Sequence, residues 1–154
     1  MIDDADTELL REQLGRTPHP ALRVVCRCAA GRPVVVEQPA TTPDGEPFPT
    51  AFWLCCPGLV RAVSRLEGAG GVRDLEDRIA ADATLAAQLA AAQERHRALR
   101  PEHALGIGGV RNPQAIKCLH AHAAFAIGAP PHPLGDAIVA AAGGIPEPCC
   151  MERA

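Results

Sequence analysis

The sequence predicts an α+β domain, with a small, mainly antiparallel sheet from its N-terminal third packed against a helical layer. Three observations carry that expectation. β-branched runs crowd the segment before residue 56, apolar residues recur at helical spacing after it, and 154 residues suit one compact domain. Residues 1–145 are expected to form that domain, and residues 146–154 a loose tail.

The elements follow in order. "DDADTELLREQLG" reads as a short helix, acidic at its start and ended by Gly15. "LRVVCRC" and "PVVVEQP", separated by "AAGR", read as a hairpin, and "TAFWLC" as the next strand after the turn centred on Pro43-Asp44-Gly45. Pro57 opens a helix to about Glu67, with Leu59, Val60, Val63 and Leu66 as its buried stripe. "VRDLEDRIAA" is a short amphipathic helix. Asp82 caps the next, which runs to about Leu99 and buries Leu85, Leu89, Ala92, His96 and Leu99. Asn112 and Pro113 are good first residues for a helix to about Ile127, and "LGDAIVAAA" makes a last one.

Composition removes several functions. The formal charge is −3 and aromatics are 3%, which argues against nucleic-acid binding by charge or by stacking. No apolar run reaches the roughly 18 residues of a membrane span, and the acidic start is unlike a secretory signal, so a cytoplasmic location is expected. Seven cysteines in a reducing compartment then call for metal ligation, thiol chemistry or burial rather than disulfides.

The densest chemistry is "IKCLHAHAAF", residues 116–125. On a helix begun at Pro113, Cys118 and His122 lie about 40° apart and Cys118 and His120 about 200° apart. That phase makes Cys118 and His122 a candidate pair of zinc ligands and leaves His120 packed on the other face, where its loss costs stability rather than metal. Cys56, at the N-cap of the helix opened by Pro57, is expected to have a lowered pKa and to be the most reactive core thiol. Cys28, on one strand face with Cys26, is the further candidate, so the metal set is Cys56, Cys118, His122 and Cys28, although no zinc-knuckle spacing occurs. Burial of these cysteines as small apolar groups is the alternative. Cys149 and Cys150 read as incidental, and His96 as a satisfied core residue. "GIGGVRN" is either an ordinary connection or an anion site, and Arg61 and Arg65 either hold an anion or form a solvated face.

Taken together, "PFPTAFWLCCPGLVRAVSRLE", "GIGGVRN", "AIKCLHAH" and "HPLGD" resemble a bacterial family known as domain of unknown function five-hundred-one, over roughly residues 9–142. The resemblance brings no established activity. It places the family's motif cysteines on Cys56 and Cys118, and relatives often carry a cysteine at Cys28. It also puts histidine in many relatives where Phe125 stands, asparagine where His132 stands and threonine where Cys55 stands. The family's genes often lie near a septum-formation gene, enolase and an exopolyphosphatase, which implies a cell-division or envelope protein as a partner.

Two functions follow as expectations. One is a Cys/His site, zinc-binding and hydrolytic, or a thiol nucleophile (Cys56 or Cys118) with His122 as base. The other is a non-enzymatic interaction protein of the division or envelope machinery in which the cysteines only pack. No carboxylate sits in an evident general-base motif, though Glu67 and Asp136 lie in segments the family shares.

Overall fold

The computed structural model describes residues 1–151. Helix α1 (Asp4–Leu14) starts where the Asp3 carboxylate accepts from the Asp6 amide and ends at Gly15, whose φ of 65° is the left-handed cap glycine provides cheaply. Strands β1 (Arg23–Arg27), β2 (Pro33–Glu37) and β3 (Phe52–Leu54) form an antiparallel sheet in the order β1-β2-β3. Helices α2 (Pro57–Gly68), α3 (Gly71–Ala81), α4 (Ala83–Leu99), α5 (Leu119–Gly128) and α6 (Pro133–Ala141) follow, which makes the fold α+β with helices dominant.

β2 is the middle strand and its Val34, Val35 and Val36 are all buried. The sheet lies between two apolar clusters, and alternation along β3 sends Phe52 and Leu54 to one and Trp53 to the other. Val36 packs with Leu10, Ala21 and Cys55 in a small cluster that Trp53 joins from its partly buried side. Val35, Phe52 and Leu54 join the main core, which contains Phe125 of α5. α5 is buried along most of its length, including Leu119, Ala121, His122, Ala123, Ala124, Phe125 and Ala126. Its neighbours come unusually close. A Cβ on Gly128 would stand 2.5 Å from the Phe52 ring, and one on Gly135 of α6 would stand 2.5 Å from the His122 carbonyl oxygen. Among the described residues no helix is long and apolar enough to cross a membrane.

Two expectations need correction. Leu99 is 50% exposed, because the end of α4 turns Arg100 inward instead. The Arg100 guanidinium donates to the Gln38 and Thr50 carbonyls. More consequentially, α5 begins at Leu119, not at Pro113. The Asn112 side chain does accept from the Gln114 amide, but the turn it closes does not propagate. Gln93 holds the Ala115 carbonyl at 3.2 Å, and Cys118 is extended (φ −159°, ψ 154°) as the N-cap of α5.

Candidate functional site

The late start of α5 changes which side chains meet. Leu119 is the first helical residue, and its orphan amide needs an acceptor. Glu67, in the last turn of α2, supplies one: its Oε1 accepts from the Leu119 amide and lies 3.1 Å from His120 Nδ1. Cys118, just outside the helix, faces the same spot. The donor atoms of Glu67, Cys118 and His120 all lie within 4.8 Å of one another, the one such group of three among the described residues. A thiolate, an imidazole and a carboxylate at this spacing could hold a metal ion.

The far side of the His120 ring faces oxygen as well. Nε2 lies 3.2 Å from the Val60 carbonyl and 3.1 Å from Ser64 Oγ, both on α2. A carbonyl only accepts, so Nε2 carries the hydrogen. Nδ1 then points its lone pair at the Glu67 carboxylate unless a cation stands there. The same electrostatics push the His120 pKa up to about 9. Its contact with Cys118 is the largest cause, the Glu67 charge and the Val60 carbonyl add to it, and burial opposes it. Cys118 and His120 line one wall of a cavity of about 510 Å³ whose other walls include Phe52, Trp53 and Leu54, with Arg16 and Lys117 also on its lining.

Of the expected ligands Cys56, Cys118, His122 and Cys28, Cys118 alone belongs to this group. His122 is fully buried, with Nδ1 3.0 Å from His132 Nε2. Burial first, then the neighbouring His132, pushes its pKa down to about 3, and burial with Arg95 nearby pushes His132 to about 4. His122 Nε2 and His132 Nδ1 have no hydrogen-bond partner. The His132 ring also meets Phe125 at a centroid distance of 5.7 Å. Cys56 is the N-cap of α2 as expected, yet burial pushes its thiol up to about 11, the reverse of the activation expected there. Here desolvation outweighs the helix terminus. Its Sγ is 3.7 Å from that of Cys150. Cys28, half-buried past the end of β1, stands beside the buried Cys149. His96 is a satisfied core residue, accepting from the Ala51 amide and donating to the Leu105 carbonyl. In "GIGGVRN" the amides of Gly106, Ile107 and Gly109 are already bonded to Val110, Gln93 and Gly106, so the loop is a structural connection.

Residue phase points away from His120, and Glu67 carries no local sign beyond its place in a family-like segment. Among curated proteins and among solved structures nothing matches the chain. The model of one family matches residues 24–105 and 101–140, most of the chain and all of the elements that build this site, so the protein belongs to the family described as protein of unknown function (DUF501).

Proposed function

We propose that Glu67, Cys118 and His120 hold a divalent transition metal, zinc by their donor set, with a further position open to the adjoining cavity. One observation carries this reading: His120 Nδ1 and Glu67 Oε1 stand 3.1 Å apart beside the Cys118 thiol, while Nε2 is committed to the Val60 carbonyl. Metal-bound histidines ordinarily anchor their second nitrogen in this way. A bound zinc would supply Lewis acidity, and three protein ligands are the number catalytic zinc sites use. The apolar walls at Phe52 and Leu54, with Arg16 and Lys117 on the same cavity, suit a small, mainly apolar substrate bearing an anionic group. The reaction class is hydrolysis.

A second reading rests on the same 3.1 Å contact occupied by a proton. His120 is then an imidazolium bonded to oxygen at both nitrogens, and Cys118 beside it is a nucleophile. Metal analysis of freshly purified protein separates the two. The metal reading expects near-stoichiometric zinc, protection of Cys118 from alkylation, and hydrolysis of carboxylated acyl esters that chelation removes. Metal-free protein with rapidly alkylated Cys118 and chelator-insensitive turnover supports the thiol reading. Absence of both metal and Cys118 reactivity removes both readings.

A further inference from the structure

On the opposite side of α2 from Glu67, the segment after α6 returns to the helix N-terminus. Cys150 Sγ lies 3.7 Å from Cys56 Sγ and accepts a hydrogen bond from the Gly58 amide at 3.2 Å. The seat is shaped for this approach. A Cβ on Gly58 would stand 2.8 Å from both Cys150 Cβ and Pro146 Cγ, so a larger residue would lift the segment away. The two sulfurs differ in access. Cys56 is buried, whereas Cys150 is half-buried and opens on a cavity of about 530 Å³ that Arg61 and Arg65 also line.

We propose that Cys150 is a hydroperoxide-reactive thiol whose oxidation closes a Cys56–Cys150 disulfide, fastening the C-terminal segment to the start of α2. The chemistry balances. The Cys150 sulfur, as thiolate, attacks the terminal oxygen of a hydroperoxide; the O–O bond breaks, the alcohol or water leaves, and a sulfenic acid remains. Cys56 then attacks that sulfur, the S–O bond breaks, and the Cys56 proton departs with the hydroxyl as water. Two thiols lose two electrons and the peroxide gains them. A dithiol reductant reverses the change. The division of labour follows from position. Cys150 meets the oxidant because it faces the arginine-lined cavity, held there by the hydrogen bond from the Gly58 amide. Cys56 resolves because it is shielded from the cavity and already in van der Waals contact. Closure needs the sulfurs to approach by about 1.7 Å, to the bonded distance of about 2.05 Å.

The test is peptide mapping of the intact chain after exposure to equimolar hydrogen peroxide and alkylation of the remaining thiols. The expected product links the Cys56 and Cys150 peptides before Cys26 or Cys118 is oxidised, and dithiothreitol removes the link. Cys56→Ser should leave Cys150 as a sulfenic acid that dimedone captures. Gly58→Ala keeps every thiol but displaces the segment, and should slow closure severalfold with the helical circular dichroism unchanged. Free Cys56 and Cys150 after the other thiols have oxidised, a Cys150 link to Cys28 or Cys149 instead, or wild-type closure in Gly58→Ala would each overturn the proposal.

Discussion

His120 and His122 stand two residues apart at the start of α5 and meet opposite surroundings. His120 lies between α2 and the cavity, with a carboxylate on one nitrogen and a carbonyl on the other. His122 lies between α5 and α6, against another imidazole and apolar groups, with one nitrogen unpartnered. The first environment draws in a positive charge and the second repels one, so one pKa goes up to about 9 and the other down to about 3. What separates them is what each ring meets: Cys118, Glu67 and the Val60 carbonyl raise the one, while burial and then His132 lower the other. Residue type and local spacing are nearly the same.

The largest expected effect that sharpens this contrast is on metal. His120→Ala and Cys118→Ser should weaken zinc binding by more than about a hundredfold, since even outer-shell changes cost about 10–100-fold. His122→Ala should leave it near wild type, and competition with a chromophoric chelator measures all three. Stability should order the same histidines the other way. Emptying the fully buried His122 site and orphaning His132 should cost about 3 kcal/mol, against about 1 kcal/mol or less for His120→Ala, by urea unfolding. This reverses the expectation drawn from helix phase, which assigned the structural role to His120.

The pH dependence of the metal-free protein should divide along the same line. His122 and His132 take up protons less readily folded than unfolded. The stability linked to them is present above about 6.5 and is lost as pH falls toward about 4 and about 3. His120 is raised, so its contribution is present below about 6.5 and is lost as pH rises through about 9. His120→Ala should flatten the alkaline arm alone. Zinc affinity should rise with pH up to about 9, as the metal must displace the His120 proton. The smallest effect expected is from Ser64→Ala. It removes one neighbour of Nε2 but leaves the Val60 carbonyl, and should weaken zinc by about tenfold or less.

Much of the fold is legible in local signals. Gly15 ends α1, Asp82 caps α4 through the Thr84 and Leu85 amides, and the two valine-rich runs pair as a hairpin, because each of these signals acts within a few residues. The start of α5 is not legible in this way. Asn112-Pro113 is a sound local start, and it is overridden by Gln93 holding Ala115 and Glu67 accepting from Leu119, groups 22 and 52 residues away. Because α5 starts at Leu119, Cys118 is an extended residue outside the helix, and the 100° per residue phase no longer relates it to His120 and His122. Hence Cys118 was recognisable from the local density of cysteine and histidine, but its partner histidine was not. The sulfur pair of Cys56 and Cys150 was likewise invisible, because 94 residues separate them. Phe125 and His132 touch, in the core around His122 and away from the Glu67 group.

The central claim is that a cation belongs among Glu67, Cys118 and His120 and that His122 is a core residue. Anomalous diffraction at the zinc edge, from crystals of the intact chain grown with equimolar zinc, tests it most directly. The account predicts a peak at about 2.0–2.3 Å from Cys118 Sγ, His120 Nδ1 and a Glu67 carboxylate oxygen. A peak on His122, Cys56 or Cys28 instead, or none at Glu67, Cys118 and His120, would contradict it.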